Sequence, residues 1–428
     1  MTRAKTFMRT AAVVGALSLA LTACSSGTET ETPSGDTGGS GGEGGQLHFG
    51  TLLPVTGSLS QLGPPEIAGV DLATKEINDA GGVFGNELQI THTDSSDADN
   101  AQVATESSQQ LISEQVQTII GAASSSVTLN VIDDITGSGI VQFSPANTAT
   151  ELSGYSPFFF RTAPPDSVQG DALANLMLAD GASSVGVLVF NDAYGTGLRD
   201  TVETVVTEAG GSITYGTSGQ EFDPNETNYS GIVSDVLATN PDAITIIAFT
   251  TQTPLIVREL ESQGFDMSKL YFVDGNLQNF GTSGENGFPE GTLEGAKGTL
   301  PGAYPTEEFQ SRLLEVNPDL SDFSYSAESY DATMMSALAA LKGGAATGAA
   351  IQENLPAISG ANGGTECTGW VECSELVSSG QEIHYQAVSG VGPFNAQNDP
   401  SSAFVGIYEF DANNEYSFVE SREGVVAE

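Results

Sequence analysis

Leu47-His-Phe-Gly-Thr-Leu-Leu53, then Glu66-Ile-Ala-Gly-Val-Asp-Leu-Ala-Thr-Lys-Glu-Ile-Asn-Asp-Ala80 and the pair Gly81-Gly82, decide how this chain is read. The first run is short and apolar, bounded by Pro54, and reads as a buried strand. In the second, Ile67, Val70, Ala73 and Ile77 recur at helical spacing on one stripe, and the paired glycines stop the helix. The same unit recurs outward from there. Residues 88–92, 118–120 and 140–143 read as further buried strands. A second series has strands at 185–190, 212–215, 243–249 and 270–273, separated by helical 196–209, 228–239 and 253–263. Regular β-α-β alternation implies parallel sheets covered by helices on both faces, so the fold class is α/β with two similar lobes.

In open parallel sheets, ligands bind beyond the carboxyl ends of the strands. In the first lobe those ends are Pro54-Val-Thr-Gly-Ser58, Gly121-Ala-Ala-Ser-Ser-Ser126 and Ser144-Pro-Ala-Asn-Thr148. In the second they are Asn191-Asp-Ala-Tyr-Gly195, Phe249-Thr-Thr-Gln252 and Asp274-Gly-Asn276. Small hydroxyl and backbone donors dominate the first set, whereas aromatics and a carboxylate mark the second. That division suits a zwitterion held between two jaws. A carboxylate in a closed cleft needs several donors, and charge-assisted hydrogen bonds contribute more than neutral ones. Three serines ahead of a helix supply donors together with the helix N-terminus; the same serines also suit plain helix capping. Asp274-Gly-Asn276 is likewise an ordinary turn sequence.

The amino terminus sets the compartment. Arg3, Lys5 and Arg9 precede an apolar run from 11 to 21 that is too short to span a membrane, so 1–23 reads as a signal peptide. Leu21-Thr-Ala-Cys24 resembles a bacterial lipobox, which implies cleavage before Cys24 and a diacylglycerol on its sulfur; plain secretion is the alternative. The tether 24–46 is rich in Gly, Ser, Thr and Glu and has a flexible reach of roughly 25 Å. Losing the leader takes the formal net charge of −43 to −46, because the leader holds three basic residues and no acidic one. Repulsion from phosphate backbones argues against nucleic acid as a partner. Of the three cysteines, Cys367 and Cys373 remain after Cys24, and in this compartment their spacing suits a small disulfide loop.

Taken in order, Gly50-Thr-Leu-Leu-Pro-Val-Thr-Gly57, Ala68-Gly-Val-Asp-Leu-Ala73, Glu76-Ile-Asn78, Ser124-Ser-Ser126, Ser144-Pro145, Phe160-Arg-Thr-Ala-Pro-Pro-Asp166 with Gln169-Gly170, Asp192 with Tyr194-Gly195, and Tyr330-Asp-Ala332 form an ordered set. The set resembles the type I solute-binding proteins of ABC importers, in the branched-chain amino-acid (Leu/Ile/Val) binding family. The resemblance runs from about residue 47 to 418. It implies two Rossmann-like lobes joined by a three-segment hinge, placed here near 163–166, 294–301 and 395–402. The lobes are then 47–165 with 300–398, and 166–299 with 399–428. It also implies a carboxylate grip from Ser124 and Ser125, and a second set at Ala146, Asn147 and Thr148 offering a carbonyl to an ammonium and a hydroxyl and amide to the carboxylate. Tyr194 matches the aromatic that covers the solute, Phe249 a further aromatic, and Asp274 the acid that meets the ammonium. Relatives tend to carry a longer Glu near that last position, which leaves the solute's identity open.

The resulting expectation is a monomeric, lipid-anchored extracytoplasmic protein that captures a branched-chain or other aliphatic amino acid and passes it to ABC permease subunits. The same clamp suits a sensor, or a binder of amides, urea or carboxylates. A surface hydrolase is the remote alternative, since none of His48, His92 and His384 sits in a nucleophile-and-base pattern. No cofactor is implied. Asp94-Ser-Ser-Asp-Ala-Asp99 starts like a calcium loop but lacks its glycine and final glutamate, and is read as a cap for a helix near Asn100. Tyr330-Asp-Ala332 is read as packing, and Arg161 is expected to pair with a buried carboxylate.

Overall fold

The computed structural model describes residues 44–284 and 286–426, so the leader, Cys24 and most of the tether lie outside the described residues. Strands β1 (His48–Leu53), β2 (Gln89–Asp94), β3 (Thr118–Gly121), β4 (Val141–Ser144) and β5 (Phe159–Arg161) form one sheet in the order β2-β1-β3-β4-β5. All its pairings are parallel. Helices α1 (Gly63–Asp79), α2 (Ala101–Ser113) and α3 (Ser125–Gly137) make the first connections. Pro64 and Pro65 fall in the first turn of α1, where a missing N–H costs nothing, and so start the helix ahead of the expected Glu66.

The second sheet is built the same way. After α4 (Asp166–Ala179) come β6 (Ser184–Val189), α5 (Ala193–Glu208), β7 (Ser212–Tyr215), α6 (Ser230–Ala238), β8 (Ala243–Ile247), α7 (Thr253–Ser262), β9 (Leu270–Phe272) and β10 (Lys297–Pro301). The order β7-β6-β8-β9-β10 repeats that of the first sheet. The chain then returns to the first lobe as α8 (Glu307–Val316), α9 (Ser326–Gly343), α10 (Gly348–Ile358), β11 (Thr365–Cys367), α11 (Gly369–Ser378) and β12 (Ile383–Tyr385). Last, β13 (Ser402–Phe410) and β14 (Tyr416–Val425) add antiparallel strands beside β10. β11 and β12 form a small sheet of their own.

Two cores follow. In the first lobe Phe49, Val70, Phe143 and Phe160 pack with Met334, Leu338 and Ile351. Gly69 permits the approach of α1 to α9, because a Cβ there would collide with the Ser326 carbonyl. In the second lobe Val187, Val202, Ile246, Val257 and Phe272 pack together with Phe410.

The chain crosses between the sheets three times. The second crossing differs from expectation: 297–301 is strand β10, paired parallel to β9 and antiparallel to β13, so the crossing begins at Gly302. The boundary placed at 300 therefore falls inside a strand. Arg161 is fully buried, and its Nε donates to Asp399 Oδ1 at 2.6 Å, tying the first lobe to the third crossing as expected. Its Nη1 donates to the Ala149 carbonyl at 2.9 Å. Cys367 and Cys373 form the expected disulfide, with Cα atoms 5.4 Å apart. Tyr330 and Asp331 are structural: Asp331 accepts from Tyr385 Oη and from the amide and hydroxyl of Ser389. Asp97 caps the turn ahead of α2. Among the described residues no single helix is long and apolar enough to cross a membrane.

Candidate ligand-binding site

In both sheets the strand order reverses direction beside the first strand, between β1 and β3 and between β6 and β8. The loops leaving these strands face one another, which is where a crevice forms in such sheets. The lobes touch there. Ser126 Oγ donates to Asp192 Oδ2 at 2.6 Å, and Thr250 Oγ1 donates to the Ser58 carbonyl at 2.8 Å. Between them is a narrow cavity with about 20 Å³ of free space, so the two walls stand nearly in contact in this arrangement.

Seven of the eight expected residues line this cavity: Ser124, Ser125, Ala146, Thr148, Tyr194, Phe249 and Asp274. Ser124 is the N-cap of α3 and accepts from the Val127 amide at 3.3 Å, so capping and cavity lining coexist in one residue. Ser125 Oγ accepts from the Ala149 amide at 3.3 Å. Asn147 is the exception and a correction. Ser144 Oγ accepts its amide N–H at 2.9 Å and turns the chain, so the Asn147 side chain points back to donate to the Ala123 carbonyl at 2.7 Å. The Asn147 carbonyl accepts from Arg161 Nη1 at 3.3 Å.

The opposite wall is aromatic and acidic. Tyr194 begins α5, whose N-cap Asp192 accepts its amide N–H at 2.9 Å. The Tyr194 ring stacks on Phe249 with centroids 5.6 Å apart. Asp274 follows β9 in a short turn and is almost wholly buried. Tyr194 Oη donates to its Oδ1 at 2.6 Å, Tyr325 Oη to its Oδ2 at 2.6 Å, and Gln169 Nε2 to its Oδ1 at 2.9 Å. Burial raises the Asp274 carboxyl above the usual range, while these three donors act in the opposite direction. Burial and then the Asp274 carboxylate raise both tyrosines, which keeps them as donors.

Sequence reasoning missed three residues that line the cavity. Leu59 and Leu62 supply an apolar floor, and their spacing of three between Gly57 and Gly63 was the available signal. Tyr325 arrives from the far end of the chain, at the N-cap of α9 in a left-handed conformation (φ 57°). Asp166, which does not line the cavity, is fully buried behind Thr148 at the start of α4. Burial, and next the charge of Asp274, push its carboxyl well above the usual range. The cavity thus presents neutral donors on one side, a carboxylate on the other, and leucine, alanine and aromatic surface between. Such a lining can hold an anion and a cation a few bonds apart with an apolar group beside them. Among the described residues no group of three or more His, Cys, Asp or Glu could hold a metal ion.

Residues 46–371 match the family model described as periplasmic binding protein. The leucine-, isoleucine-, valine-, threonine-, and alanine-binding protein of Pseudomonas aeruginosa is 25% identical over 266 residues, covering 61% of this chain and 68% of that protein. The Leu/Ile/Val-binding protein homolog 3 of Brucella melitensis is 22% identical over 220 residues, covering 51% of this chain and 58% of its own length. A crystal structure of a leucine binding protein, LivK, from Thermotoga maritima superposes with a TM-score of 0.72 at 21% identity, covering 88% of this chain and 98% of that one.

Proposed function

The chain belongs to the type I periplasmic binding proteins, in the family of the branched-chain amino-acid binders, and from that premise we propose that it captures an aliphatic α-amino acid between its lobes for an ABC permease. The observation that carries this reading is the polarity of the cavity, with Ser124, Ser125 and Thr148 facing Asp274 across an apolar waist. The hydroxyls and the α3 N-terminus take the α-carboxylate, Asp274 takes the ammonium, and Leu59, Leu62 and Phe249 take the aliphatic side chain. Tyr194 and Tyr325 orient the Asp274 carboxylate and remain its donors.

Solute binds the first lobe and the second closes on it, an equilibrium that ligand shifts by preferring the closed arrangement. The Ser126–Asp192 contact belongs to that closed form. Cys24 carries a lipid that holds the protein at the extracytoplasmic face of the cell membrane, and Cys24→Ser is expected to release it into the medium. Protein that stays in the membrane fraction after that change would overturn the anchor.

One observation favours a second reading. Both Asp274 oxygens already accept hydrogen bonds from protein donors, which suits an amide or hydroxyl ligand without an ammonium group. A thermal-shift panel on refolded, ligand-stripped protein separates the two. A ligand at a hundred times its Kd adds about 2.7 kcal/mol of stability. Shifts with leucine, isoleucine or valine support the amino-acid reading. Shifts confined to amides, urea or carboxylates replace it with the second.

A further inference from the structure

Behind Tyr325, on the side away from the solute cavity, lies a separate chamber with about 150 Å³ of free space at the second crossing between the lobes. We propose that this chamber is a second binding site, for a small organic ammonium ion.

Its walls come from both lobes. Tyr408 and Tyr416 project from β13 and β14, Tyr304 follows the crossing at Gly302, and Glu328 and Asp322 come from the first lobe. The Tyr408 and Tyr416 rings stand nearly perpendicular, at 89° with centroids 5.3 Å apart, and Tyr304 meets Tyr408 at 54° and 6.3 Å. These contacts are edge-to-face or tilted, and Tyr304 also stacks on Phe418, at 22° with centroids 4.7 Å apart. A cation within about 6 Å of ring centroids is attracted by their negative faces.

Glu328 supplies the charge. It is only 3% exposed and lines the chamber. Among the described residues no donor from another residue reaches its carboxylate; the one hydrogen bond it draws is from its own amide. Gly302 is held open for it, since a Cβ there would collide with Glu328 Oε1. Behind it stands Glu66, fully buried with both oxygens unpartnered. Burial raises both carboxyls well above the usual range, and each is left without a countercharge. No lysine or arginine lines the chamber. A cation bound beside Glu328 favours its ionised form, so binding releases a proton.

The chemistry favours an alkylammonium over a metal ion. Tyrosine faces cannot replace the oxygen shell a hard cation demands, and two carboxylates are too few to do so. They do suit a weakly hydrated ammonium with apolar substituents. Because both lobes contribute, and Tyr416 Oη donates across to Asp322 Oδ2 at 3.0 Å, occupancy favours the closed arrangement.

The test is titration calorimetry of the full chain with tetramethylammonium, at ionic strength held constant with sodium chloride, and with uncharged tert-butyl alcohol as the isosteric control. The expected result is saturable one-to-one binding of tetramethylammonium and none of the alcohol. Glu328→Gln and Tyr304→Leu should each weaken it by about tenfold. Tyr304 is 46% exposed at the rim, so its replacement leaves the fold intact should Glu328→Gln fail to fold. No saturable binding, equal binding of the alcohol, or affinity unchanged in Tyr304→Leu overturns the proposal. Amino acids that bind when tetramethylammonium does not would refute the chamber and leave the solute reading standing. Tetramethylammonium that binds when amino acids do not has the reverse meaning.

Discussion

Asp274 accepts from Tyr194, Tyr325 and Gln169 at once, so its carboxylate is fixed in direction before any ligand arrives. Asp274→Asn keeps the size and removes the charge. For a ligand bearing an ammonium the expected loss is about 1.5–3 kcal/mol, roughly 10- to 150-fold in Kd, read by calorimetry. Unchanged affinity would place the ammonium elsewhere or remove it from the ligand. Glu66 makes a different prediction. Burial, and then Glu328, raise its carboxyl in the folded state. The folded protein therefore holds that proton more tightly than the unfolded chain, and stability falls as pH rises from the ordinary glutamate range through the raised value. Glu66→Gln should thus raise Tm at about pH 8 and leave it unchanged at about pH 3, where the side chain is protonated in both states. A Tm gain equal at both pH values would show that charge is not the cause.

At the scale of elements, the disulfide closes β11 onto α11, away from the cavity lining. Cys373→Ser should cost about 2 kcal/mol of stability, the loop entropy of so short a ring, and leave solute affinity unchanged. A changed Kd would mean the ring reaches the cleft. The elements that carry the site were legible. β1, β3, β6 and β8 are fully or nearly fully buried, so each reads as a continuous apolar run with its strand end exposed to inspection. The terminal hairpin was not read, because β14 is mostly exposed and shows no clean alternation. β10 was taken for a crossing because its centre, Gly298-Thr-Leu300, holds a single large apolar side chain between Lys297 and Pro301. Asn147 was placed in the cavity since a motif fixes position but not direction, and here the Ser144 hydroxyl sets the turn. Tyr325 joins Asp274 across 51 positions of sequence, a pairing that only the fold brings about.

For the whole molecule, a net charge of −43 makes self-repulsion a standing cost, so Tm of the unliganded protein should rise with added sodium chloride as charges are screened. Closure sets affinity alongside direct contact. Asp192 touches Ser126 across the cleft and is absent from the cavity wall. Ser126→Ala removes that cross-lobe hydrogen bond while leaving the Asp192 cap of α5 in place, and about 1 kcal/mol lost from the closed form weakens every solute by roughly fivefold with no change in ranking. A change in ranking would put Ser126 in contact with ligand. The central claim is that one interlobe cavity holds an aliphatic amino acid by its carboxylate. Calorimetry of leucine, isoleucine and valine against ligand-stripped protein, beside Ser124→Ala/Thr148→Ala, tests it most directly. The account predicts binding by the parent chain and a loss of at least about tenfold in the double variant. Equal affinity in both proteins would contradict it.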